Sequence, residues 1–257
     1  MTPQVRSERV LVSALGGIVA LAWLSLVLWS RSPYGALLDH GGHHGGGWDV
    51  YVPVAGWTLM LVAMMLPTSA PLVALFRSLV RTRANASTLT ALLVAGYLLI
   101  WALVGLVLHA GDHLVRVGLD ESSWLATHAW LVGTALVTTA GLYQFTSLKR
   151  RCLEKCRSPL AFIMQHWHGD DGEHEAFRLG IRHGLFCIGC CWTLMLLMFA
   201  VGVGNLGWML ALAAVMAAEK NAPWGRRLTT PLGAVLLLAG ASLAVTGAFG
   251  VELLGAH

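Results

Sequence analysis

Three thiols fall within five residues at Cys187-Ile188-Gly189-Cys190-Cys191. On a helix, residues three and four apart share a face. Stepping that way along this segment collects His183, Cys187, Cys191, Met195 and Met198, with Cys190 beside them. The result is a stripe of imidazole, thiol and thioether donors about 22 Å long at 1.5 Å per residue. Soft donors of this kind select Cu(I) above all, with zinc second. The plainer alternative is packing, because cysteine and methionine also serve as small or flexible apolar fillers.

A second thiol pair stands at Cys152 and Cys156, spaced to share a helical face, among Lys149, Arg150, Arg151, Lys155 and Arg157. Positive neighbours lower a thiol pKa and favour the thiolate that binds metal or attacks disulfides. Met60 and Met64 share a helical face and extend the thioether supply, with Met65 next in sequence and Pro67 and Pro71 close behind. The prolines predict a kink or an unwound stretch whose freed carbonyls line a site. Histidines form a third group. Asp39-His40-Gly41-Gly42-His43-His44, with Asp49, is a short His-rich tract of the kind that captures divalent metals. His109 and His113 follow at helical spacing beside Asp112, and His128 comes later. His166, His168 and His174 are expected in a solvated loop. Glu219 is a candidate charge partner for the cysteines, and the Glu219-Lys220 pair otherwise reads as a snorkelling helix anchor.

The elements that must position these groups are apolar. Of 257 residues, 56% are hydrophobic and only 12% charged, about half the charge of an average soluble domain. The apolar residues gather in seven blocks, roughly 10–30, 52–76, 88–111, 124–147, 183–203, 206–219 and 229–250. Most approach the ~20 residues that cross a bilayer as a helix. The sixth is short, and Gly202-Val203-Gly204-Asn205 before it suggests a hairpin or a broken helix. The run from Val10 to Trp29 is too long for a signal-peptide core, and Ser30-Arg31-Ser32-Pro33 lacks a small-x-small cleavage site, so it reads as the first span. With the N-terminus inside, the inner segments hold fifteen of the seventeen Lys and Arg residues and the outer ones only Arg31 and Arg116. That bias puts the C-terminus and the outer histidines on the far side and all five cysteines near the inner face. It also explains the +4 net charge without nucleic-acid binding. The expected architecture is one all-α membrane domain over residues 1–257. Trp57-Thr58-Leu59-Met60-Leu61 recurs as Trp192-Thr193-Leu194-Met195-Leu196, a weak sign of an inverted repeat. No hydrolase triad, phosphate loop or nucleotide fingerprint is present.

The string from Tyr143-Gln144 through Lys149 to Cys152 and Cys156, then Cys187 to Trp192 and Glu219-Lys220, resembles the predicted metal-binding integral membrane proteins, a bacterial family of unknown function. Met64-Met65-Leu66-Pro67 matches its pattern as well. The resemblance covers about residues 50–222. It implies a metal-binding, multi-pass protein of the bacterial inner membrane and names neither metal nor reaction.

Together these features favour a protein that binds and moves or delivers Cu(I). The outer histidines would collect the ion, Met60, Met64, Met195 and Met198 would offer weak sites, and the five cysteines would hold it at the inner side. A metallochaperone or a larger membrane complex would be its partner. Two rivals stand beside it. One is a membrane thiol–disulfide oxidoreductase using Cys187/Cys190 with Cys152/Cys156. The other is a binding or assembly subunit of a membrane complex.

Overall fold

Apolar periodicity becomes helix throughout. The computed structural model describes residues 3–32, 51–169, 171–201 and 205–255, and the described residues are all-helical, with no strand. The elements are α1 (Pro3–Ser30), α2 (Tyr51–Met64), α3 (Leu66–Val80), α4 (Ala86–Glu121), α5 (Ser123–Thr127), α6 (Trp130–Tyr143), α7 (Ser147–Arg157), α8 (Pro159–His166), α9 (Gly172–Val201), α10 (Leu206–Asn221) and α11 (Gly225–Gly255). The His-rich tract of residues 39–49 and the Gly202–Gly204 turn lie outside the described residues.

Among the described residues, four helices are long and apolar enough to cross a membrane, with spans Ser13–Ser30, Ala86–Val115, Gly172–Met198 and Gly225–Ala248. Their outward faces are greasy: Leu21, Val107, Leu114 and Leu238 are 63–72% exposed, as a lipid-facing surface requires. The second block is a bent helix pair with the length and hydropathy of a broken span or a re-entrant loop. α2 and α3 meet at 63°, where Pro67 enters the first turn of α3. The fourth and sixth blocks yield α6 and α10, of 14 and 16 residues. At 1.5 Å per residue these are shorter than a ~30 Å hydrocarbon core.

The principal helix contact is α4 against α9, and α6 with α11 forms a second pair. Glycines make the first one close. A Cβ at Gly180 would land on the backbone carbonyl of Leu93, and one at Gly96 on that of Phe177. Only hydrogen at these positions lets the two backbones approach.

The segment after the fourth block departs from expectation in part. In place of a loop the chain builds α7, α8 and the first turns of α9, while His168 and His174 are exposed as expected and His166 is half-buried. α6 stops at Tyr143, and Thr146 caps a new helix by accepting from the Lys149 amide at 3.2 Å. Phe162 and Ile163 of α8 are 1% exposed and sit in a cluster with Phe76, Leu89, Leu93 and Leu179. His166 leans on Phe162 and pairs with its carbonyl at 2.9 Å. Glu175 accepts from the amides of His168 and Gly169 at 3.2 and 2.6 Å. Apolar side chains at Phe162 and Ile163 outweigh the charged string around them, which is why this stretch packs.

Candidate metal centre

The stripe on α9 faces inward along its whole length. His183, Cys187, Cys191, Met195 and Met198 are all at most 3% exposed, as is Cys190. The helix begins at Gly172, before the apolar block expected from residue 183, so the thiols lie mid-helix, about 22 Å from its start at 1.5 Å per residue. Cys190 and Cys191 each donate to the Cys187 carbonyl, at 3.0 and 2.9 Å, which tucks both sulfurs against the helix.

From there the sulfurs face two ways. On one side, Cys190 Sγ lies 3.9 Å from Cys156 Sγ of α7. Gly189 lets α7 in: a Cβ there would stand 2.5 Å from Cys152 Sγ. Tyr143 at the end of α6 donates to the Gly189 carbonyl at 2.5 Å, fixing the same turn from its other flank. On the other side, Cys191 Sγ lies 4.0 Å from Met65 Sδ. Cys187 Sγ is 3.2 Å from the Tyr97 hydroxyl and 3.0 Å from the Lys220 ammonium.

The bent α2–α3 pair supplies the inner wall. Met65 sits at the break, and its carbonyl accepts from Thr68 Oγ1 at 2.8 Å and from Tyr97 at 3.4 Å. The carbonyl that Pro67 leaves without its helical N–H is that of Ala63, and Trp23 Nε1 donates to it at 3.1 Å. Lys220 reaches in from the last turn of α10. Its Nζ donates to Thr68 Oγ1 at 3.1 Å and lies 3.9 Å from Met65 Sδ. His183 is one turn before Cys187. Its Nε2 pairs with Ser69 at 3.2 Å, its ring stacks on Tyr97, and its Nδ1 has no hydrogen-bond partner.

Lys220 does not snorkel. It is 5% exposed and points into the protein. Glu219 is the partner of Lys149 instead, through bonds of 3.0 and 2.8 Å. The basic cluster therefore does not activate the α7 thiols. Lys149 is spent on Glu219, Lys155 on Gln165, and Arg150 on the Phe145 carbonyl. Arg157 binds the Glu219 and Ala222 carbonyls at the end of α10. Both thiols titrate above the ordinary range. Burial pushes Cys152 up, and the Cys190 sulfur helps. Cys156 is held well up, first by its hydrogen bond with Cys190 and then by burial.

Among the described residues, no three His, Cys, Asp or Glu side chains gather to hold an ion. The sulfurs meet in small sets instead, and methionine is part of the inner one. Metal–sulfur bonds near ~2.3 Å place two sulfurs on one ion at most about 4.6 Å apart. The Cys190–Cys156 and Cys191–Met65 separations of 3.9 and 4.0 Å lie within that reach without helix movement. Met60 and Met64 on α2, and Met195 and Met198 on α9, belong to the same buried core as the thiols. His109 and His113 lie about 18 and 24 Å along α4 from Tyr97 at 1.5 Å per residue.

Met65, Tyr97, Thr68 and Lys220 complete the inner set, and sequence reasoning gave none of them a role as ligand or neighbour. The available signals were a methionine directly before Leu66-Pro67, a tyrosine inside an otherwise apolar span, and a lysine closing an apolar helix.

A family model for copper chaperones, PpoB2, matches residues 54–243, a stretch that holds every cysteine and the whole α2–α3 break. No curated protein and no solved structure matches the chain. The chain therefore belongs to the PpoB2 copper chaperone family.

Proposed function

We propose that this protein is a multi-pass protein of the bacterial inner membrane that binds Cu(I) and passes it to a partner. The observation that carries the reading is the double-sided sulfur arrangement around Cys187-Ile188-Gly189-Cys190-Cys191. Cys156, the partly exposed member, receives the ion with Cys190. Cys187, Cys191 and Met65 hold it in the interior. Soft thiolate and thioether donors suit Cu(I), and zinc is the next candidate. In this reading seven segments cross or enter the membrane with the N-terminus inside. Met60, Met64, Met195 and Met198 offer weaker stations, and His109 and His113 with the His-rich tract collect metal outside. A soluble metallochaperone or an acceptor complex is the partner.

The test is metal content of anaerobically purified protein by mass spectrometry. The wild type should carry copper, and the Cys187→Ser/Cys190→Ser/Cys191→Ser triple variant should lose it while still inserting. Wild-type stoichiometry in the triple variant would overturn the reading. A second reading, thiol–disulfide exchange, draws on the 3.9 Å Cys156–Cys190 approach. It requires quinone-dependent oxidation of this pair, which the same preparation can be assayed for.

A further inference from the structure

Resting on the copper reading above, we propose that Lys220 is the specificity-determining residue of the interior site, the fixed counter-ion that makes it select a monovalent metal over a divalent one. The ammonium is buried against Cys187 Sγ at 3.0 Å, Thr68 Oγ1 at 3.1 Å and Met65 Sδ at 3.9 Å. Among the described residues, no carboxylate hydrogen-bonds to it. The adjacent Glu219 is consumed by Lys149 at 2.8 Å, and that pair sums to zero. Arg157 faces outward to the carbonyl end of α10. His183 is engaged with Ser69 and adds no anion.

Charge arithmetic then discriminates. A metal deprotonates the thiols it binds. Two thiolates from Cys187 and Cys191 with Cu(I) carry one negative charge, and the Met65 thioether adds none. Lys220 brings that sum to zero. The same ligands with Zn(II) are already neutral, so Lys220 leaves one positive charge. Net charge buried away from water is strongly disfavoured. The site thus rejects zinc by surplus charge, although zinc accepts the same sulfurs. This is discrimination built by penalising the wrong ligand.

The experiment is chelator competition with Cu(I) and with Zn(II), on the full detergent-solubilised chain under anaerobic conditions. Lys220→Gln should weaken Cu(I) and strengthen Zn(II), each by about tenfold or more, while Lys220→Arg keeps the wild-type order. A general packing defect would weaken both metals together, and that result would overturn the inference, as would no change in either. A double-variant cycle gives an independent test. With Cys187→Ser, Cu(I) and one thiolate are neutral and Lys220 becomes the surplus. Adding Lys220→Gln to Cys187→Ser should therefore improve Cu(I) binding, opposite in sign to its effect on the wild type. The same sign in both backgrounds would overturn the inference. A wild-type protein that binds neither metal would instead reject the copper reading itself.

Discussion

The Lys149 ammonium and the Glu219 carboxylate meet through two bonds of 2.8 and 3.0 Å, with side-chain exposures of 0% and 2%. The pair ties α7 to α10 across seventy residues of sequence. Removing one member strands the other as a buried charge. Lys149→Met or Glu219→Leu alone should each cost about 3–5 kcal/mol, and the double variant should regain most of the loss. Thermal unfolding of the three variants in detergent checks this.

Met65 should separate binding from stability. Leucine matches its volume closely, so Met65→Leu should cost less than about 1.5 kcal/mol. It removes the thioether that stands 4.0 Å from Cys191 Sγ, and Cu(I) affinity should fall about tenfold. Met195→Leu and Met198→Leu should leave that affinity near wild type. Chelator competition on the three variants distinguishes them.

Gly189→Ala places a methyl 2.5 Å from Cys152 Sγ. α7 must shift, at a cost of about 1–3 kcal/mol. The Cys156–Cys190 approach should open with it. Mild oxidation that crosslinks this pair in the wild type should crosslink the variant more slowly, as followed by mass spectrometry of the peptides.

The α7 thiols should be sluggish at neutral pH. Both titrate above the ordinary thiol range, and only the thiolate is alkylated quickly. Because the shift is upward, reactivity should keep rising with pH beyond the point where a free thiol levels off. Maleimide rates at Cys152 and Cys156 against pH test it, and a plateau near pH 8 would contradict the burial argument.

A reporter fused after His257 should behave as external, and one inserted next to His168 as cytoplasmic. The opposite outcome would put the cysteines near the outer face.

The helical class and the inward face of α9 were legible because each rests on a local period that packing did not override. Pro67 likewise announced the break at Met65. The α7–α8 segment was misread because charge was weighed residue by residue. Phe162 and Ile163 drive its packing, and their burial depends on α3, α4 and α9 arriving at the same place. The basic string around Cys152 misled for a related reason. Proximity in sequence does not aim a side chain, and Lys149, Lys155 and Arg157 each find a partner elsewhere. Lys220 was harder still, since a lysine at a helix end looks the same whether it reaches outward to headgroups or inward to a thiol.

α10 is pinned at both ends. Asn205 accepts from the Trp208 amide at 3.0 Å at its start, and Arg157 holds the Glu219 and Ala222 carbonyls at its finish. Its sixteen residues therefore act as a ruler. Each residue turns the helix by about 100°, so one residue inserted between Met209 and Met216 would swing Glu219 and Lys220 off their partners while leaving hydrophobicity untouched. Tolerance to length change should accordingly be asymmetric along the chain, with this short helix holding strict count because it indexes two charges at once.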